Sequence, residues 1–243
     1  MSIAHDLKTL FQLTLAPIRG RTHRERLESF YAGQAADYDR FREHLLHGRR
    51  GLYERIQIPA NGVWVEMGGG TASNLEYLGK RIGELGQVHV VDLSPALLGI
   101  AGERVARRGW SNVLLHEADA TEFGEKESAD LVTFSYSLTM IPDWFAALEN
   151  ARRLLKPGGL LGVVDFYVGR KHPPASFVRH GAATRTFWPA WFAHDNVFLS
   201  PDHVPFLHRH FTPIDFEECR GRTRYLPFLA TPYYRFLGRN DQR

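Results

Sequence analysis

Glu66, Asp92 and Asp119 are three carboxylates that each stand at or just past the end of a short apolar run. The first is followed at once by Met67-Gly68-Gly69-Gly70-Thr71-Ala72. Glycines, lacking a Cβ, let backbone N–H groups come close to a ligand. A carboxylate at a strand end can accept hydrogen bonds from hydroxyl or amino groups. In an open parallel sheet, the crevice outside the carboxyl ends of the strands is where ligands bind. Asp92 is placed to accept from both hydroxyls of a ribose, and Asp119 from an adenine amino group. Any one of these acids alone reads as a loop-start cap. Three in register after a glycine turn point to an adenosine-containing ligand.

Holding those acids in register requires alternating strands and helices, and the pattern from residue 62 supplies them. Gly62 to Met67, Gln87 to Asp92, Asn112 to His116, Asp130 to Ser135 and Leu160 to Phe166 read as strands. Leu75, Leu78 and Ile82 recur at helical spacing, so the stretch from Ser73 reads as a helix opened by the glycine turn. Ser94-Pro95 is an N-cap followed by proline at the first helical position. Pro142 to Leu155 forms a further helix, stopped by Lys156-Pro157-Gly158-Gly159. The expected fold is α/β: a doubly wound, seven-stranded, mostly parallel sheet of Rossmann-like type. Pro213 to Cys219 and Tyr234 to Gly238 supply a closing antiparallel pair, after a capped helix from Ser200 to about His210. One domain, 1–243, is expected. It comprises an N-terminal helical cap (1–50), a ligand-binding core (60–167), a lid (168–200) and a closing helix and strands (201–243). The lid is aperiodic and rich in Pro, His, Phe and Trp, as functional loops often are.

Two N-terminal stretches keep two readings each. Ile3, Leu7, Leu10, Phe11, Leu15 and Ile18 share a helical face that either packs on the core or lies on an anionic bilayer. Tyr31 to Arg42 either closes over the ligand or covers the sheet.

The 243 residues, 44% of them hydrophobic, suffice for a full core. A formal charge of +3 and a pI of 9.1 suit a mildly anionic partner such as a membrane surface, and are too weak to argue for nucleic acid. No run approaches the ~20 apolar residues of a spanning helix, and the amphipathic N-terminus does not resemble a signal peptide. A single cysteine, Cys219, excludes an internal disulfide. Six histidines lie between His172 and His210, but His203, His208 and His210 form no i,i+4 pair, so no metal is expected. The chain reads as cytoplasmic and peripheral at a membrane.

A dinucleotide site wants G-x-G-x-x-G, and here Ser73 holds the third place; no P-loop Gly-Lys-Ser/Thr follows either. The acid-x-Gly-x-Gly loop, with Asp92, Asp119 and the Leu155-Lys-Pro-Gly-Gly159 turn, resembles class I S-adenosylmethionine-dependent methyltransferases. Ala72 departs from that pattern, which often has a third glycine there. The resemblance implies S-adenosylmethionine as cofactor, with Glu66, Gly68 and Gly70 at its methionine end, Asp92 on the ribose and Asp119 on the adenine. Further cofactor contacts are expected from Tyr31, Tyr38, Arg49 and Asn74, and from Leu93, Ala120, Ser135 and Met140. The segment Ser135 to Trp144 lacks the Asn/Asp-Pro-Pro-Tyr signature of DNA amino-methyltransferases. Tyr136 either orients an amine and holds a methylated ammonium by cation–π attraction, or packs beneath the adenine.

A narrower likeness rests on Ser135 to Trp144, Gly162 to Val168, Phe187 to Asp195, Tyr225-Leu-Pro and Pro232 to Gly238. Together these are similar to the N-methyltransferase domain of betaine-lipid synthases. The resemblance implies triple N-methylation of diacylglyceryl-homoserine to the trimethyl betaine lipid, with a separate aminocarboxypropyl transferase supplying the homoserine lipid. On this reading Tyr136, His194 and Asp165 are catalytic candidates. Tyr136, Arg185, Trp191, Tyr233 and Arg235 would bind substrate, an arginine pairing with its carboxylate. The alternatives are a phosphatidylethanolamine or small-amine N-methyltransferase and, outside enzymes, a cofactor-binding scaffold protein.

Overall fold

The computed structural model describes residues 20, 22, 25, 45–194, 196–223 and 226–241. The expected N-terminal helix, with Tyr31 and Tyr38, lies outside the described residues.

In chain order the elements are α1 (Arg49–Arg55), β1 (Val63–Met67), a 3-10 segment (Ser73–Glu84), β2 (Gln87–Asp92), α2 (Pro95–Arg108), β3 (Val113–Glu117) and β4 (Ala129–Ser135). There follow a short 3-10 turn (Leu138–Met140), α3 (Trp144–Leu154), β5 (Leu155–Phe166), α4 (Ala182–Ala193), α5 (His203–His210), β6 (Thr212–Thr223) and β7 (Leu226–Arg239). The strands form one seven-stranded sheet in the order β3-β2-β1-β4-β5-β7-β6. β1 to β5 pair in parallel, while β7 runs antiparallel between β5 and β6. The strand order reverses at β1, between β2 and β4, and a switch point of this kind is where such sheets open their ligand crevice.

Both faces of the sheet are covered, and pleat alternation divides β1 between them. Trp64 packs with Tyr53 of α1, with Ile56 just after it and with Leu75, Leu78 and Ile82. Val65 and Met67 face Leu148, Ala151 and Leu154 of α3 on the other side. The flanking helices carry the expected caps. Ser94 Oγ accepts from Leu97 N at the start of α2, which ends at Gly109 with φ 66°. Asp143 Oδ1 accepts from Ala146 N at the start of α3.

Three elements differ from expectation. Ser73 onward is not an α-helix but a 3-10 segment interrupted at Gly79, whose φ of 57° and ψ of −126° break the helical path. Leu75, Leu78 and Ile82 still face the core, because spacings of three and four serve a 3-10 turn nearly as well. The Lys156-Pro157-Gly158-Gly159 turn lies within β5 as an irregularity, where the register slips from Ala129↔Leu155 to Leu131↔Leu160. The aperiodic lid holds a 12-residue helix, α4, with Pro189 inside it. Among the described residues no helix is long and apolar enough to cross a membrane.

Candidate functional site

At the carboxyl ends of β1, β2, β3 and β4 lies a cavity of 260 Å³. Gly68, Gly70, Asp92, Leu93, Asp119, Ala120, Tyr136 and Met140, all expected site residues, line it. Local geometry explains why they converge. Gly68 and Gly70 adopt φ of 65° and 56°, a region that favours glycine. A Cβ on Gly68 would sit 2.5 Å from Ser137 Cβ, so the loop approaches the post-β4 segment as only glycine allows. Ser137 ties the two together, its Oγ donating to Met67 O at 2.8 Å. Ala72, at the third glycine position, still takes the left-handed conformation, with φ 58°.

Asp92 binds its own neighbourhood. Its Oδ2 accepts from Gly70 N at 2.8 Å and its Oδ1 from Ser94 N at 2.9 Å. Each carboxylate oxygen has about two lone pairs, so the carboxylate can brace the glycine loop and also receive ligand hydroxyls. Asp119 is arranged likewise: Oδ1 accepts from the N–H and the hydroxyl of Thr121, both at 2.8 Å. The apolar walls are Val91, Leu93, Leu97, Ala118 and Met140, with Ile141 and Pro142 at one side. A glycine loop that leaves room for a close approach, two carboxylates and apolar walls fit a nucleoside joined to an amino acid.

Glu66 lies elsewhere. It is fully buried on the α1 side of β1, where it accepts from Tyr53 Oη, Asn74 Nδ2 and Thr133 Oγ1 at 2.7 Å each. Burial outweighs those hydrogen bonds and pushes its carboxyl up to about 7. Asn74 in turn accepts from Arg49 Nη1, and Arg49 also donates to Leu46 O. Glu66, Asn74 and Arg49 therefore form a buried brace beneath the loop, outside the cavity lining. Ser135 is likewise buried and does not line it.

Tyr136 is a bulky residue held at φ 55°, a strained conformation of the kind that clusters at functional sites. Its hydroxyl donates to His47 O at 2.6 Å, and its ring meets Phe166 edge-on at 4.5 Å. Asp165, one residue before Phe166, is fully buried. Its Oδ1 accepts from Thr139 Oγ1 and Phe166 N, and its Oδ2 from Thr139 N. Burial raises its pKa to about 7. In this setting Asp165 anchors the post-β4 turn and is closed to an incoming amine.

The remaining candidates lie around the site rather than in the cavity lining. Arg185, Trp191 and His194 are on or just after α4. Tyr233 is on β7 beside His47, with ring centroids 6.2 Å apart. The Arg235 guanidinium is buried and held by Asp215 and Glu217, at 3.1 and 2.9 Å. Two carboxylates of the sheet therefore already face its charge. Sequence reasoning left Ser137, Thr121, Leu97 and Asp143 unassigned, although all line the cavity. Asp143 and Thr121 carry local capping signals; Leu97 carries none beyond helix periodicity. Among the described residues no group of three or more His, Cys, Asp or Glu side chains could hold a metal ion.

Residues 65–161 match the family model described as a methyltransferase domain. Over 149 residues the chain is 29% identical to the ubiquinone/menaquinone biosynthesis C-methyltransferase of Cellvibrio japonicus, covering 58% of this chain and 60% of that enzyme. The chain thus spans less than two thirds of that relative's length. Among solved structures, the (4+2)-cyclase SpnF superposes with a TM-score of 0.68 at 17% identity, over 93% of this chain and 99% of that one. A phosphoethanolamine N-methyltransferase 2 of Haemonchus contortus, solved with phosphomonomethylethanolamine and S-adenosylhomocysteine, superposes with a TM-score of 0.65 at 18% identity, over 89% of this chain and 60% of that one.

Proposed function

We propose that this chain, whose residues 65–161 match a methyltransferase domain, is an S-adenosylmethionine-dependent methyltransferase that methylates the amine of a lipid head group. Diacylglyceryl-homoserine, methylated in three steps to the trimethyl betaine lipid, is the acceptor this reading favours. The observation that carries it is the meeting of two surfaces at Tyr136. On one side is the cavity of Gly68, Gly70, Asp92 and Asp119; on the other is an aromatic layer. Phe166 packs edge-on to Tyr136, Phe192 stacks on Phe166 at 4.6 Å, and Trp188 stacks on Phe192 at 5.7 Å.

In this proposal Gly68 and Gly70 receive the methionine end of the cofactor, Asp92 the ribose hydroxyls and Asp119 the adenine. Bound there, S-adenosylmethionine supplies an electrophilic methyl group on a sulfonium. The chain's own contribution is positioning, which can be worth ~7–11 kcal/mol of a barrier, and control of charge. Asp165 fixes Thr139 and thereby the turn that carries Tyr136. Tyr136 lines the cavity, backed by the stacked rings of Phe166 and Phe192, and its ring favours a cation of growing methyl content. Desolvation against these rings lowers the pKa of an incoming ammonium, which helps it arrive as a neutral nucleophile. Asp165 is engaged and His194 lies at the end of α4, so proton removal rests on this environment rather than on either group.

A second reading is a carbon acceptor on an apolar ring, and the C-methyltransferase name of the Cellvibrio japonicus relative favours it. The test is mass spectrometry of purified chain incubated with trideuteromethyl-labelled cofactor and either amino-lipids or prenylated quinone precursors. Successive labelled methyl groups on homoserine lipid support the proposal. One labelled methyl on a ring carbon replaces it with the second reading. Cofactor heat in calorimetry without transfer to any acceptor points to a binding scaffold.

A further inference from the structure

Helix α4 has a composition unlike the other helices. Across Ala182–Ala193 its only charged residue is Arg185, and four of its twelve residues are Phe or Trp. One aromatic pair at i,i+4 spacing, Trp188 and Phe192, is buried against Phe166. The other pair, Phe187 and Trp191, is 39% and 40% exposed, the rings 5.7 Å apart. Beyond the helix Phe198 is 55% exposed. An aromatic-rich helix is expected inside a core or against lipid, and half of this one is not buried in the core. A grouped exposure of large aromatic residues marks an interaction surface.

The chain ties this surface to the cavity. Val197 N donates to Phe192 O at the end of α4, and Phe198 N donates to Thr139 O in the post-β4 turn. Val197 also packs with Leu97 and Met140 of the cavity wall. Charge indicates the occupant. From Phe166 to Phe198 the sequence holds four Lys or Arg residues, Arg170, Lys171, Arg179 and Arg185, against one acid, Asp195. Lys171 and Arg179 are exposed, while Arg170 pairs with Asp202. Exposed Phe and Trp in a net basic stretch of chain is the pattern of an interfacial surface for anionic lipid.

We propose that α4, with Phe198 and the basic stretch before it, docks on an anionic bilayer and presents the site to lipid head groups. The proposal deepens the lipid-acceptor reading, but its detection needs no methyl transfer. The test is co-sedimentation of the full chain with phosphatidylcholine vesicles, with and without phosphatidylserine, for wild type, Phe187→Ser/Trp191→Ser and Lys171→Glu/Arg179→Glu. Expected are binding that needs phosphatidylserine and weakens with salt, and a loss of roughly ten-fold or more in either double variant. Both variants alter exposed positions outside the cavity lining, so cofactor binding by calorimetry should be retained, which shows that the variants are folded. Three results would overturn the proposal: no vesicle binding by wild type, double variants that bind as wild type, or a self-association in sedimentation velocity that the aromatic variant abolishes while vesicle binding persists. Methylation of amino-lipid dispersed in detergent separates the two claims. Transfer without vesicle binding sinks the docking surface alone, and vesicle binding without transfer sinks the acceptor alone.

Discussion

Replacing Glu66 with glutamine isolates the buried brace beneath the glycine loop. The carboxylate accepts from Tyr53, Asn74 and Thr133 and is wholly buried, with its pKa raised from 4.5 to about 7. An acid raised on folding binds its proton more tightly folded than unfolded, so its contribution is full below the unfolded pKa and declines as pH rises through the folded one. Between about pH 5 and about pH 8 the two titration curves differ enough to remove roughly 2–3 kcal/mol of stability, at ~1.4 kcal/mol per unit. Glutamine fits the same site. Its carbonyl keeps Tyr53 and Asn74, and its amide donates to Thr133 Oγ1, whose hydroxyl also accepts from Trp64 Nε1 at 2.8 Å. Asp165, raised in the same sense, and His203, lowered to about 3 by burial, titrate in both proteins and cancel in the comparison. The assay is urea unfolding of wild type and Glu66→Gln over this pH range. The stability advantage of wild type over variant should shrink by that amount as pH rises. A difference that stays flat across the range would refute the reasoning, because it would mean that Glu66 ionises at its ordinary pKa in the folded chain.

Asp92→Ala should weaken S-adenosylmethionine binding ten-fold or more, about 1.4 kcal/mol, in a calorimetric titration; unchanged affinity would remove the ribose assignment. Gly68→Ala should lower stability by about 1–3 kcal/mol through its positive φ and the 2.5 Å approach to Ser137, read as a fall in melting temperature together with weaker cofactor binding. Tyr136→Phe leaves His47 O without its donor and should cost about 1–2 kcal/mol in unfolding free energy. If that tyrosine contacts the acceptor, kcat should fall by more than stability loss explains.

Much of the donor side was legible from residues near one another in the chain. The strands of the core fall close to where their apolar runs place them, because a strand covered on both faces is written as a short apolar stretch. Gly68 and Gly70 are where a chain without a Cβ is required, Asp92 closes β2 and Asp119 lies in the loop that leaves β3. Ala72 shows the limit of pattern matching. It lacks the glycine side of the motif yet takes the same backbone conformation, at a cost of ~1–2 kcal/mol that its buried setting must offset.

The acceptor side was less legible. Arg235 reads in sequence as a free guanidinium; only the pairing of β6 with β7 brings Asp215 and Glu217 to it. Pro189 and the aperiodic lid read as loop, since proline usually punctuates helices, and packing of Trp188 and Phe192 against Phe166 overrides that signal.

By itself, then, the sequence determined the order of strands, turns and acids, and with it a nucleotide-type cavity at the switch point. These follow from interactions within a few residues: backbone φ, capping and hydrophobic period. Only the tertiary structure decided which acids serve the cavity and which serve the frame. Glu66 meets Thr133 across 67 positions, and Tyr136 meets His47 across 89. The burial that sets a carboxyl's pKa, and the partner that fills a hydrogen bond, come from residues that no local pattern links.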